Sequence, residues 1–319
     1  MSAELRVLRA AEVAAPAPDQ PRWLIESLWA AGAVGVIGGA PKCCKSWLAL
    51  EMAVAVASGR PCLGRYAVGG VGPALVFAAE DGPLGARERL EQLAAARGAD
   101  FPTLDVRLIV EPSLRLDFER DQDRLRATVE RHRPRLLVLD PWVRLQRVHE
   151  NDATEVSAVL SSLRALSRAF EVAIALVHHA RKGPMEDGGQ SLRGSSDFHA
   201  WGDSNLYLAR RRDGLVLSIE HRAAAAPPPV GLLLENGQGP VRLEVRDAAA
   251  TPGAPDAATP LEPTLTQRIL ECLKDGAPHR HDALRAELRV RSQHLAAALR
   301  DLESSGQISR TADGWIIEP

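Results

Sequence analysis

From residue 33 onward, short apolar runs alternate with longer stretches in which apolar residues return every three or four positions. The runs are Ala33 to Ile37, Ala74 to Ala78, Val106 to Val110, Leu136 to Leu139 and Val172 to Val177. Between them, Ser46 to Ala57, Leu84 to Ala96, Asp121 to Arg131 and Ala153 to Ala169 have helical spacing. A strand that is apolar almost throughout is buried on both faces, and strands separated by helices run parallel. The pattern predicts an α/β fold with a mainly parallel sheet covered by helices on both sides. Past Gly202 the rhythm shortens. Asn205 to Ala209, Leu215 to Glu220, Val230 to Leu234 and Val241 to Val245 read as added antiparallel strands, with turn residues at Arg212-Asp213-Gly214 and Asn236-Gly237.

The same pattern divides the chain. Residues 1–20 are rich in Ala and Pro and lack periodicity, so a loose segment is expected there. Residues 21–246 form the α/β region. Residues 247–263, DAAATPGAPDAATPLEP, read as a linker. Residues 264–319 read as three helices and a hairpin. The helices are Thr264 to Lys274, Asp282 to Leu288 and Ser292 to Ser305; the hairpin joins Gln307 to Arg310 with Trp315 to Ile317.

Composition narrows the classes. The chain has 319 residues, enough for about two domains with an apolar core. Lys and Arg number 39 against 41 Asp and Glu, which excludes attachment to nucleic acid by bulk charge but leaves room for a local basic groove. No apolar run is long enough for a membrane span, and the first twenty residues do not read as a signal peptide. The four cysteines, Cys43, Cys44, Cys62 and Cys272, show no CxxC spacing. Reduced thiols in a cytoplasmic protein fit this better than zinc or a disulfide framework.

The chemistry gathers where apolar strands end. After the first strand comes Gly39-Ala40-Pro41-Lys42-Cys43-Cys44-Lys45-Ser46, then Trp47 and the first helix. This approaches the phosphate-binding pattern G-x-x-x-x-G-K-[ST]. There, backbone N–H groups wrap phosphates, the Lys (Lys45) reaches the β- and γ-phosphates, and the hydroxyl (Ser46) holds Mg²⁺. Gly39, Pro41, Lys42, Cys43, Cys44, Lys45, Ser46 and Trp47 are therefore the candidate nucleotide-binding residues. Cys44 stands where the pattern has its second glycine, and a positive φ there costs a Cys roughly 1 kcal/mol or more. Leu136 to Leu139 ends in Asp140, suited to orienting Mg²⁺. Ala74 to Ala79 ends in Glu80-Asp81, a carboxylate placed to activate water. Val172 to Val177 ends in His178-His179, able to bond a γ-phosphate or its water.

These stretches together resemble the RepA-type RecA-like ATPases, hexameric replicative helicases of plasmids and their relatives. The likeness is carried by Trp23-Leu24, Gly39 to Lys42 with Lys45-Ser46, Ala79-Glu80-Asp81, Leu139-Asp140-Pro141, His178-His179, and Leu192-Arg193-Gly194-Ser195-Ser196. Asp203 and Tyr207-Leu208-Ala209-Arg210 complete it. The resemblance implies a homo-hexameric ring with ATP and Mg²⁺ between subunits and single-stranded DNA in the channel. It implies Glu80 as catalytic glutamate, Asp140 as the metal-orienting acid, His178 or His179 as sensor, and an arginine acting on the neighbouring subunit. In Ser218-Ile219-Glu220-His221-Arg222, Arg222 occupies the arginine position, with Glu220 where the family has a lysine; Arg193 is the other candidate. The tail resembles a winged helix-turn-helix. If it binds duplex DNA, Arg291, Ser292, Gln293 and His294 start its third helix and Arg310 lies on the wing. From Leu261 on, eight Lys and Arg face nine Asp and Glu, so a protein-contact role is equally open. The expected function is an ATP-hydrolysing DNA motor or DNA-processing ATPase. The alternative is a nucleotide-gated DNA-binding adaptor with slow or no hydrolysis.

Overall fold

The computed structural model describes residues 7–12, 22–146, 153–179, 196–211, 214–237 and 239–246 of the first part of the chain. Beyond these it describes 265–275, 277–288, 290, 295, 298–299, 302–303, 307–311 and 314–317. The chain separates into two compact units, Met1–Pro252 and Gly253–Pro319. The candidate linker at 247–263, and also Arg193, Arg291, Ser292, Gln293 and His294, lie outside the described residues.

The first unit holds a nine-stranded sheet, and a two-stranded hairpin of β1 (Trp23–Ile25) and β2 (Trp29–Ala30) precedes it in the chain. The sheet strands are β3 (Val34–Gly39), β4 (Ala74–Ala78), β5 (Val106–Leu108), β6 (Leu136–Asp140), β7 (Ala173–His179), β8 (Ser204–Arg211), β9 (Gly214–His221), β10 (Val230–Glu235) and β11 (Arg242–Arg246). Their spatial order is β11-β10-β9-β8-β3-β7-β6-β4-β5. From β8 to β5 the pairings are parallel, and β8 through β11 form an antiparallel meander. The expected α/β class and the added antiparallel strands are both present.

Alternation along the strands explains the layers. In β6, Leu136 and Val138 face one apolar core while Leu137 and Leu139 face the other; Ala74 and Val76 of β4 divide from Leu75 and Phe77 in the same way. Each fully buried Leu or Val contributes about 1.5–3 kcal/mol. The first core is covered by α1 (Lys45–Ser58) and α2 (Gly82–Ala96). The second is covered by α3 (Glu119–His132), α4 (Ala153–Phe170) and α5 (Ser196–Trp201). α1 is rich in Ala, Leu and Val and buried on nearly every side; it stops at Gly59, whose left-handed φ of 71° lets its N–H reach the Ala55 carbonyl at 2.8 Å. α3 is amphipathic, burying Leu125 and Val129, and carries acids in its first turn and Arg131 and His132 in its last.

The second unit contains α6 (Leu265–Cys272), a short 3₁₀ turn, α7 (His281–Leu288), and a hairpin of β12 (Ile308–Arg310) with β13 (Trp315–Ile317). Its core gathers Ile269, Leu273, Leu284, Leu288 and Ile308 with Leu295, Leu299 and Leu302, which keep helical spacing. Three details differ from the sequence expectation. β5 ends at Leu108 rather than Val110: the Ile109 N–H still donates to the Val76 carbonyl at 2.8 Å, and Val110 is left exposed. The β1–β2 hairpin and α5 are additions to the pattern, since elements of two to six residues carry no measurable periodicity.

Candidate nucleotide site

Parallel strands present all their carboxyl ends at one edge, so the polar residues that end β3, β4, β6 and β7 share a neighbourhood. Gly39 ends β3 beside Leu208 of β8 with φ at 151°, and a Cβ there would meet the Leu208 carbonyl at 2.3 Å. Only glycine lets the chain turn here. The loop that follows holds Lys42 at φ 63° and Cys44 at φ 60°, both left-handed. The strain expected of Cys44 in the second glycine position is therefore present in the backbone. Cys44 caps α1 without a side-chain hydrogen bond. The first-turn amides of α1, from Lys45, Ser46 and Trp47, have no acceptor within the helix and point toward the loop, at the positive end of the dipole.

Lys45 is 4 % exposed, and its Nζ donates to the carbonyls of Gly39 at 3.0 Å and Ala40 at 2.8 Å. Burial lowers the Lys45 pKa from its usual value, against the pull of Cys43, Asp140 and Glu80. Asp140 is buried at the end of β6, and burial pushes its pKa up to about 6. The Ser46 hydroxyl donates to its carboxylate and opposes that rise, as does Lys45, while Asp81 and Glu80 add to it. Glu80 is half exposed, with its carboxylate 3.9 Å from His179 Nε2 and 3.9 Å from Arg144 Nε.

The two histidines have different settings. His178 is buried and stacks on Phe198, ring centroids 4.5 Å apart; burial lowers its pKa to about 4, so it is neutral at physiological pH. His179 is the one that faces Glu80. Arg222 lies elsewhere. β9 runs antiparallel to β8, so its end returns to the amino edge of the sheet, where Arg222 Nη1 meets Asp203 Oδ1 at 3.0 Å. With His199, Asn205, Glu220 and His221 it lines a cavity of about 420 Å³ at that edge.

Gly39, Pro41, Lys42, Cys43, Cys44, Lys45, Ser46 and Trp47 thus sit with Glu80, Asp140, His178 and His179 at one edge, and Arg222 does not. Three further residues stand at this edge to which motif reading assigned no role, although Arg210 belongs to the Tyr207-Leu208-Ala209-Arg210 stretch of the resemblance. Arg89 of α2 bonds Asp81 at 2.6 Å and covers the Trp47 ring at 5.3 Å. Arg144 approaches Glu80, and Arg210 of β8 donates to the Lys42 carbonyl at 3.0 Å. The signal for Arg210 was an apolar strand running into charge, the feature that marks Asp140 and His178.

The residues suit a nucleotide with its metal. The loop is a cradle of glycine-dependent shape against an uncapped helix end. Ser46 and Asp140 are hard oxygen donors. Among the described residues no cluster of three or more His, Cys, Asp or Glu forms a metal cage.

Comparison with known proteins bears on the family and the fold. No curated protein matches the chain. Among solved structures, a DnaB-like replicative helicase, described with its interactions with primase, is 13 % identical with a TM-score of 0.50. The match covers 63 % of this chain and 57 % of that one. The RadB recombinase is 18 % identical with a TM-score of 0.49, over 64 % of this chain and 88 % of that one. The sequence-family profile described as an AAA domain matches residues 2–185, which include the loop, Glu80, Asp140 and both histidines. The chain belongs to the AAA domain family, and its first unit is a P-loop ATPase domain of RecA-like fold.

Proposed function

We propose that this protein binds and hydrolyses Mg²⁺-ATP and uses the energy to act on DNA, as a RepA-type ring of six copies. The observation that carries the reading is the placement of Lys45, Ser46 and Asp140 around one loop, with Glu80 exposed beside them. Lys45 holds the loop and directs its remaining proton at the β- and γ-phosphates. Ser46 and Asp140 hold the metal. Mg²⁺ supplies neutralisation of phosphate charge. Glu80 takes a proton from the attacking water, and His179 at 3.9 Å orients that carboxylate. His178, neutral and stacked on Phe198, fixes the end of β7. Arg222, which lies away from its own loop, is proposed to act on the neighbouring subunit; Arg193 is the other candidate.

The second unit is proposed to be a winged helix that meets duplex DNA through Arg291, Ser292, Gln293 and His294, with Arg310 on the wing. Arg310 lies over the Trp315 ring at 5.8 Å, which ties it to the hairpin. No helix among the described residues is long and apolar enough to cross a membrane, and a cytoplasmic setting fits four free thiols.

A second reading is a nucleotide-gated adaptor that binds ATP with little turnover. The left-handed Cys44 and the acidic Glu220 where the family has a lysine favour it.

Fluorescent-ATP binding and phosphate release, with and without single-stranded DNA, separate the readings. The expected result is DNA-stimulated turnover in the wild type and at least hundredfold weaker ATP binding in Lys45→Ala. Tight binding without turnover supports the adaptor. Unchanged binding in Lys45→Ala overturns the site.

A further inference from the structure

Most charges at the carboxyl edge are already committed. Arg89 is held by Asp81 at 2.6 Å, Arg144 leans on Glu80, and the Lys45 amine lies on two carbonyls. Arg210 differs. Leu208 of β8 pairs with Gly39 of β3, so two residues further on the strand carries Arg210 alongside the loop. Its Nη2 donates to the Lys42 carbonyl at 3.0 Å, and its side chain is exposed. Among the described residues no carboxylate forms an ion pair with it. Its charge is also felt at Cys44, where it opposes the rise that burial imposes on the thiol.

A guanidinium has five N–H donors in a planar fork that fits two phosphate oxygens at once. One donor of Arg210 braces the loop at left-handed Lys42, and the guanidinium is exposed beside it. Strand order fixes which part of a nucleotide it meets. Asp140 and Glu80, from β6 and the end of β4, lie on one flank of β3, and Arg210, from β8, lies on the other. The metal and the attacking water belong to the acidic flank.

We propose that Arg210 is a phosphate-binding residue of its own subunit, gripping the non-transferred phosphates on the flank away from Asp140 and Glu80. This deepens the nucleotide reading of the loop and rests on it. ADP and ATP present the same oxygens to Arg210, so both lose affinity alike when it is removed.

The test is equilibrium binding of fluorescent ADP and ATP to the full chain at low and moderate salt. It compares wild type, Arg210→Ala, Arg210→Lys, and Arg211→Ala as a neighbouring exposed cation. Arg210→Ala is expected to weaken ADP and ATP by about tenfold each. Arg210→Lys, which keeps charge without the fork, weakens both by about threefold, and Arg211→Ala stays within about twofold. The salt dependence of binding falls in Arg210→Ala, and its melting temperature without nucleotide stays within about 2 °C of wild type. Three results overturn the proposal alone: wild-type binding in Arg210→Ala, a loss confined to ATP, or a loss matched by collapse of the nucleotide-free protein. A wild type that binds neither nucleotide overturns the reading of the loop, and this inference with it.

Discussion

At the amino edge of the sheet, Asp203 stands between two arginines: Arg164 Nη1 at 2.9 Å and Arg222 Nη1 at 3.0 Å. Both guanidinium groups also donate to backbone carbonyls, Arg164 to Trp201 and Arg222 to Ala200. At the carboxyl edge, the buried Asp140 has the Ser46 hydroxyl as its bonded side chain, and the buried Lys45 has carbonyls. One edge pairs its acid with two cations, whereas at the other the buried Asp140 and the buried Lys45 each rest on neutral partners. Desolvated charge without a full partner is costly, and such groups concentrate where a ligand completes the set.

The largest effect expected from breaking this contrast is at Asp203. Asp203→Ala leaves two guanidinium groups without their carboxylate. It should destabilise the first unit by roughly 2–3 kcal/mol, discounted for the half-exposed Arg222, in urea denaturation. A change below about 0.5 kcal/mol removes the claim that this edge is held by charge.

The opposite sign is expected at Asp140. Its pKa is raised from 3.8 to about 6, so the folded chain holds the proton more tightly than the unfolded chain. The stability from that proton is present below pH 3.8 and lost as pH rises to about 6. Asp140→Asn should therefore be more stable than wild type at pH 8, by roughly 2 kcal/mol, while losing Mg²⁺-dependent nucleotide binding. His178 works the other way. With its pKa lowered from 6.5 to about 4, its stability is full above pH 6.5 and is lost as pH falls toward 4. Between about pH 4 and 6 the two slopes oppose each other, so in denaturation series over about pH 4 to 8 Asp140→Asn should gain stability with rising pH more steeply than wild type in that window. A less stable Asp140→Asn at pH 8 would mean that the carboxylate is fully satisfied.

The smallest effect is expected of Cys44→Gly. Cys44→Gly removes left-handed strain at φ 60° but adds unfolded-chain entropy, for a net gain of about 0.5–1 kcal/mol. Cys44→Val should lose about 2 kcal/mol, since a β-branched side chain tolerates that conformation worst. Thermal melts of the two variants check the order, and equal stabilities would show that the loop relaxes around residue 44.

Much of this was legible in the residues. Leu136 to Asp140 showed a buried strand ending in an acid, and Gly39 to Ser46 showed a strand handing over to a helix through a phosphate-type loop. Both come from local chemistry: a strand buried on two faces must be apolar, and a polar residue at its end is noticed at once. The tail helices were legible for the same reason, through Leu295, Leu299 and Leu302. The β1–β2 hairpin was not, because its strands are shorter than the period that would reveal them. His178 and His179 could not be told apart in sequence. Adjacent strand residues point to opposite faces, and which face holds Phe198 is decided by α5, a helix too short to announce itself.

By itself the sequence determined the class of fold, the loop and the acids at the strand ends, because these depend on neighbours within a few residues. Tertiary structure alone decided that Arg222 sits at the far edge on Asp203, and that Arg210 lies against Lys42 although 168 positions separate them. Strand order and direction set those two outcomes. They are fixed by which apolar faces bury one another across the whole chain, a long-range choice that no local pattern of residues records.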